Sequence, residues 1–98
     1  MKINVLLPIK FDRPFTYLSD VSYKPEIGDY VYVPFRNKQL IGVVWEKQVT
    51  IPENIKIKKI ISKVDFPKLS SANIEFIKKF SQYNISNLGM TLKLFMFE

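Results

Sequence analysis

The chain has 98 residues, of which 47% are hydrophobic and 14% aromatic, and its formal net charge is +6. This length and composition suit one small globular domain over residues 1–98 and argue against intrinsic disorder. Cysteine and histidine are both absent. Their absence excludes disulfides, Cys/His zinc sites, cysteine nucleophiles and histidine general bases.

The sequence also lacks the motifs of a nucleotide-hydrolysing site and of a membrane span. There is no Gly-x-x-x-x-Gly-Lys-Ser/Thr motif, and no apolar run approaches the roughly 18 residues that cross a bilayer. The amino terminus lacks the long apolar core of a signal peptide. We therefore predict a cytoplasmic module that is neither an enzyme nor the carrier of a cofactor.

The first half of the chain predicts short β-strands. Residues 3–8 form an apolar run that ends at Pro8, and residues 15–18 form a second β-prone run. Residues 29–47 contain two β-rich runs around four polar residues, which predicts an antiparallel hairpin. A fifth strand is predicted over residues 56–64.

Both the hairpin and the fifth strand leave alternatives open. In the hairpin, Tyr30 and Tyr32 share a face, and exposed tyrosines beside a cationic turn can stack bases; a half-buried hairpin with a soluble tip fits the same pattern. In the fifth strand the alternation slips at Lys59 and Ile60. A β-bulge there explains the slip, and so do fraying or burial on both faces.

The last third of the chain predicts helix. A helix over residues 70–83 can be capped by Ser70 or Ser71, with Leu69 packed on Ile74 as a hydrophobic staple. Its apolar stripe is interpreted as core packing and consists of Phe76, Ile77, Phe80 and Tyr83. Residues 88–97 fit a second helix or a terminal strand. The predicted fold class is α+β: a small twisted antiparallel β-sheet or partial barrel, followed by one or two C-terminal helices.

Positive charge is concentrated in the middle of the chain. Residues 36–65 contain seven basic and three acidic side chains. A basic region favours a polyanionic partner, because cations that neutralise phosphates release counterions. A lysine-rich composition can equally reflect an AT-rich genome.

The order of short motifs resembles that of the N-terminal domain of PriA, the bacterial replication-restart helicase also called primosomal protein N′. The matching segments are Leu-Pro at 7–8, Phe-x-Tyr at 15–17, Gly-x-x-Val-x-Val-Pro-Phe at 28–35, Ile-Gly-Val-Val at 41–44, the lysine-rich strand at 58–65, and the segments at 80–83 and 88–92. The resemblance covers nearly the whole chain. Its most specific part is Val-x-Val-Pro-Phe with the Ile-Gly-Val-Val that follows.

The resemblance implies a DNA-binding domain that recognises the 3′ end of the nascent leading strand at arrested replication forks. In the family, the Phe-x-Tyr segment forms part of the pocket for the terminal nucleotide, with an aspartate between the aromatics and a glycine after Val-Pro-Phe. Here Thr16 and Arg36 occupy those two places. With the charge pattern added, the predicted DNA-binding residues are Phe15, Thr16, Tyr17, Arg36, Lys38, Lys58 and Lys59.

The same resemblance implies partners and the location of cofactors. The partners expected are single-stranded or forked DNA with a 3′ end and, through the rest of a longer helicase, other primosome proteins. ATP and zinc are expected only in that remainder, and the domain itself is expected to be a monomer.

Two other functions fit the residues alone. A small barrel can grip a peptide with three aromatic side chains, namely Tyr30, Tyr32 and Trp45. An RNA-binding barrel that reads single strands by stacking is a weaker alternative. Steep salt dependence and a preference for DNA ends distinguish the DNA-binding interpretation from the peptide-binding one.

Overall fold

The structure, a computed structural model, describes residues 2–10, 13–20, 22–47, 56–83 and 88–96. In these residues the chain forms five strands and then two helices. The elements are β1 (Lys2–Leu6), β2 (Phe15–Leu18), β3 (Tyr30–Phe35), β4 (Lys38–Lys47), β5 (Ser62–Lys63), α1 (Ser71–Tyr83) and α2 (Leu88–Phe95).

The strands form one antiparallel sheet in the order β2-β1-β4-β3-β5. The predicted hairpin is confirmed as β3 and β4, whose first pair is Phe35 with Lys38, so that only Arg36 and Asn37 form the turn. The sheet is not closed along the described residues, and two short helices follow it. The predicted α+β class and element order are therefore confirmed.

Each face of the sheet covers its own hydrophobic core. One face, here called the inner face, carries Ile3, Val5, Leu7, Tyr17, Val31, Val33 and Val44. The helices pack on the other face, here called the helix face, which buries Leu6, Tyr30, Val43 and Trp45 with Leu69, Ile74, Ile77 and Leu92. Strand alternation sorts neighbouring residues between the two cores, as Val43 and Val44 show.

The helix face decides between the alternatives left open for the hairpin, because two of its aromatic side chains are covered rather than exposed. Tyr30 is only 2% exposed and Trp45 only 5% exposed. The amphipathic helices cover this face, and the Lys78 ammonium lies 5.6 Å from the centre of the Trp45 ring. The alternative peptide-binding surface of Tyr30, Tyr32 and Trp45 therefore loses two of its three aromatic side chains to burial, while Tyr32 is half-buried.

The predicted fifth strand is much shorter than 56–64, because the segment changes partner part-way along. Leu18 of β2 donates its N–H to the carbonyl of Lys58 and accepts from the N–H of Ile60, which makes one parallel bridge. From Ile61 onward the segment bonds to β3, beginning with the Tyr32 carbonyl. The slip in alternation at Lys59 and Ile60 coincides with this change of partner rather than with a β-bulge.

The start of α1 follows the sequence prediction. Ser70 is the N-cap, since its Oγ accepts from the N–H of Asn73 at 3.1 Å, and the staple residues Leu69 and Ile74 are both buried. Ile77 is fully buried, but Phe76 is half exposed, so the predicted core stripe was wrong for that residue.

The remaining predictions for the helical region have mixed outcomes. The side chains of Phe80 and Tyr83 lie outside the described residues. Residues 88–95 are helical, which decides between the two alternatives for this segment.

Candidate nucleic-acid interface

The end of β2 lies against the end of β3, although the two strands are not neighbours in the sheet. The Phe15 and Phe35 rings meet edge to face, with centroids 5.2 Å apart and an interplanar angle of 66°. The Tyr17 hydroxyl donates to the Pro34 carbonyl at 2.9 Å. The sheet therefore curls across its inner face and brings the Phe-x-Tyr segment to the hairpin tip.

A cavity of about 290 Å³ opens where these ends meet, and it is here called the end cavity. Three short segments line it: residues 15–17 of β2, residues 34–36 at the hairpin tip, and residues 56–58 of the segment before β5. Tyr17 is buried in the inner core, whereas Phe15 and Phe35 are half-buried. Burial also raises the pKa of Tyr17, so its phenol is a neutral donor.

Five of the seven predicted site residues line the end cavity, namely Phe15, Thr16, Tyr17, Arg36 and Lys58. The other two do not line it. Lys38 is exposed at the start of β4, and Lys59 is exposed beside the bridge to Leu18. The structure thus brings together residues that lie about twenty positions apart in the sequence, but whether they bind DNA stays a prediction.

Four lining residues were not among the predicted site residues: Pro34, Phe35, Lys56 and Ile57. The motif Val-x-Val-Pro-Phe contains the first two, and its position directly before a cationic turn was the available signal. Lys56 belongs to the basic region of the sequence. Ile57 carries no such signal, because its place depends on the path of the segment after residue 55.

The Thr16 side chain is engaged by Asn4 of the neighbouring strand β1. Its hydroxyl donates to Asn4 Oδ1 at 2.7 Å, and Asn4 Nδ2 donates to Glu46 Oε1 at 2.9 Å. Alternation along β2 places this network on the face opposite Phe15 and Tyr17. The side chain at position 16 is therefore held away from the aromatic wall.

The backbone N–H and carbonyl of Thr16 are directed toward the cavity by the alternation of hydrogen-bonding groups along β2. Leu18, two residues along β2, directs its N–H and carbonyl away from β1 and toward residues 58 and 60. Thr16 shares this orientation, since in an antiparallel ladder the backbone groups alternate from one residue to the next. Its N–H and carbonyl thus face residues 56–58 and can contact a bound ligand.

Arg36 occupies the first position of a two-residue hairpin turn. Its φ is 47° and that of Asn37 is 63°, so both residues are left-handed, as a type I′ turn requires. Its guanidinium carbon lies 5.2 Å from the centre of the Phe35 ring. The side chain is exposed at the mouth of the end cavity.

The end cavity combines aromatic walls with a cationic rim. Arg36, Lys56 and Lys58 are all exposed around half-buried rings. Aromatic faces can stack on a base, and exposed cations can neutralise the phosphate that follows it. The arrangement suits a nucleotide with one base inside and its phosphate at the rim.

Comparison with known proteins agrees with this chemistry. Residues 4–96 match the family model of the PriA 3′DNA-binding domain. The chain belongs to this family. It is 44% identical over 92 residues to the replication restart protein PriA of Rickettsia felis, and equally to that of Rickettsia conorii, while the Rickettsia prowazekii protein is 40% identical.

Each of these alignments covers 93% of the chain and 14% of the relative. The chain therefore corresponds to the DNA-binding domain and spans a small part of the length of the PriA proteins it matches. Its family model describes a domain that binds DNA.

Two further findings concern the described part of the chain. No group of three or more acidic side chains there is arranged to hold a metal ion. None of its helices is long and apolar enough to span a membrane.

Proposed function

We propose that this domain recognises the 3′ end of the nascent leading strand at arrested replication forks and thereby supports replication restart. The observation that carries the proposal is the end cavity, where the Phe-x-Tyr segment, the hairpin tip and the lysine-rich segment converge. The family model and the PriA relatives support it.

In this proposal the terminal base lies against Phe15 and Phe35, and the phosphate on its 5′ side contacts Arg36, Lys56 or Lys58. The backbone N–H and carbonyl of Thr16 take the 3′-hydroxyl, because its side chain is engaged by Asn4. A hydroxyl can both donate and accept, so a carbonyl and an N–H together can recognise it. A 3′-phosphate brings additional negative charge and bulk to the same place.

The context of the domain is part of the same proposal. The 98 residues act as one DNA-binding module of a longer helicase, whose remainder holds ATP and zinc and contacts other primosome proteins. The domain binds single-stranded or forked DNA as a monomer.

One titration tests the proposal. Binding of a short single strand with a free 3′-hydroxyl is compared with that of the same strand carrying a 3′-phosphate. We expect clear preference for the free end. Equal affinity for the two ends would mean that the domain is a general single-strand binder.

A companion variant tests the role given to the Thr16 backbone. Thr16→Val removes the hydroxyl at nearly constant volume and should lower stability by about 0.5–1.5 kcal/mol through loss of the Asn4 hydrogen bond. The preference for a free 3′ end should not change. If the preference disappears, the side chain and not the backbone reads the end.

A further inference from the structure

A second cavity lies next to the end cavity and is here called the flanking cavity. Its volume is about 550 Å³, within the roughly 300–1,000 Å³ typical of ligand pockets. The described residues that line it are Ile9, Lys10, Phe15, Phe35 and Arg36. Phe15, Phe35 and Arg36 also line the end cavity, so the two cavities are contiguous.

The Phe15–Phe35 pair separates the two cavities. Both rings line both cavities, and they contact each other edge to face with centroids 5.2 Å apart. A strand whose terminal base occupies the end cavity can therefore place its next base across this partition without leaving the surface. Each base then has an aromatic wall on which to stack.

The lining of the flanking cavity suits a nucleobase joined to a phosphate. Ile9, Phe15 and Phe35 are half-buried and apolar, whereas Lys10 and Arg36 are exposed and cationic. No carboxylate is found among the described lining residues. The cavity therefore offers apolar contacts for a base and a cationic rim for a phosphodiester.

Arg36 is the one charged side chain that both cavities share among their described lining residues. Its left-handed φ of 47° is uncommon for a residue other than glycine, asparagine or aspartate, and such outliers cluster at functional sites. Its guanidinium also lies beside the Phe35 ring of the partition. A cation in this position can reach a phosphate that crosses from one cavity to the other.

We propose that the flanking cavity binds the base of the penultimate nucleotide, and that Arg36 contacts the phosphodiester linking it to the terminal nucleotide. The proposal rests on the proposed function, because the register of the strand is set by its end in the end cavity. It assigns Ile9 and Lys10 to DNA binding, and neither was among the residues predicted from the sequence.

The test compares two strands that share a free 3′ end and differ at the penultimate position, where one carries a base and the other an abasic sugar. Loss of one stacked base should weaken binding about 5- to 150-fold. Ile9→Ala should reduce this difference. Ile60→Ala is the matched control, because Ile60 packs on the same inner core but does not line either cavity, and it should preserve the difference.

Lys10→Ala is a second variant in case Ile9→Ala does not fold, because Lys10 also lines the flanking cavity but its side chain is exposed and contributes little to the core. It should weaken binding of a dinucleotide but not of a mononucleoside 5′-monophosphate, which reaches only the end cavity. Equal binding of the intact and abasic strands by the unmodified protein would overturn the proposal that the flanking cavity binds the penultimate base. If the free 3′ end is still preferred in that case, the proposed function stands without it; if that preference is also absent, both fail.

Discussion

Arg36 combines an unfavourable backbone conformation with a central place at the site. A residue held in the left-handed region costs on the order of 1–3 kcal/mol, and asparagine tolerates that region better than arginine does. The Arg36 side chain is exposed, and its guanidinium lies beside the ring of Phe35 in the wall of the end cavity. Binding and stability therefore make opposite demands at this position.

We predict that Arg36→Asn raises or preserves the free energy of unfolding while it weakens DNA binding. Denaturant unfolding and fluorescence anisotropy measure the two quantities on the same sample. Asn37→Gly is the control, since it changes the other turn residue and should leave binding unchanged. A loss of stability together with unchanged affinity would show that Arg36 serves the turn and not the DNA.

Tyr23 and Asp29 form a second network, in the loop that leads into β3. The Tyr23 hydroxyl and the Glu26 N–H both donate to Asp29 Oδ2, at 2.7 and 2.9 Å. Burial raises the pKa of Tyr23, and the hydrogen bond and negative charge of Asp29 raise it further. The neutral phenol is thus favoured in the folded state.

This raised pKa predicts a loss of stability in alkali. The contribution of Tyr23 is fully present below its ordinary pKa of about 10 and is lost as pH rises above that value, because only the unfolded chain releases the proton easily. The free energy of unfolding, measured with urea between pH 8 and 11, should fall more steeply with pH for the unmodified chain than for Tyr23→Phe. Parallel curves would contradict the hydrogen-bonded geometry.

At the scale of elements, Gly28 connects the sheet to the helical layer. Its N–H donates to the Val44 carbonyl and its carbonyl accepts from the Leu69 N–H, both at 2.8 Å. Its φ is +97°, and an added Cβ would collide with the Leu69 carbonyl oxygen. Only glycine fits here without moving the segment that leads to α1.

Gly28→Ala should therefore destabilise the fold by at least about 1 kcal/mol, through strain and displacement of residue 69. Thermal unfolding checks this, and Ser71→Ala, at an exposed position in the first turn of α1, serves as a control with little expected effect. A Gly28→Ala protein as stable as the original would contradict the described docking of the helices.

Local patterns predicted most elements, but they could not predict which faces are covered. The periods of β3, β4 and α1 are visible in the sequence, and so is the Ser70 cap. The exposure of Tyr30 stayed open because an aromatic row on a strand looks the same whether it faces water or a helix. Its burial follows from the packing of distant helices, which no local window contains.

In the candidate site, too, local motifs could be predicted from the sequence, whereas contacts that depend on the tertiary fold could not. Phe-x-Tyr and the hairpin tip could be found from their order along the chain. The Tyr17–Pro34 hydrogen bond depends on how far the sheet curls, and the direction of the Thr16 side chain depends on its register with Asn4. The fifth strand was predicted to span residues 56–64 and is shorter, because the segment bonds first to β2 and then to β3.

At the scale of the whole molecule, which has a net charge of +6, the number of contacts between its cations and phosphates sets how DNA binding should respond to salt. Each phosphate contact with a single strand contributes about 0.7 to the slope of log affinity against log salt. Lys58 lines the end cavity and its neighbour Lys59 does not, although both are exposed. Comparing variants of the two lysines therefore distinguishes a direct phosphate contact at the end cavity from general electrostatic attraction to DNA.

We predict that Lys58→Ala lowers the salt slope by about 0.7 and weakens binding more than Lys59→Ala does. Titrations at several salt concentrations measure both effects, and the two variants have the same net charge. Identical behaviour of the two variants would mean that the lysine-rich segment acts only as a diffuse positive surface.

The central claim is that a free 3′ end binds in the end cavity, and amide chemical shifts test it most directly. On titration with a 3′-hydroxyl dinucleotide, the largest shifts should fall on residues 15–17, 35–36 and 56–58 of the end cavity and on residues 9–10 of the flanking cavity, with α1 and α2 little changed. A 3′-phosphate dinucleotide should produce much smaller shifts at the same places. Largest shifts on the helices, or equal shifts with both ligands, would contradict the account.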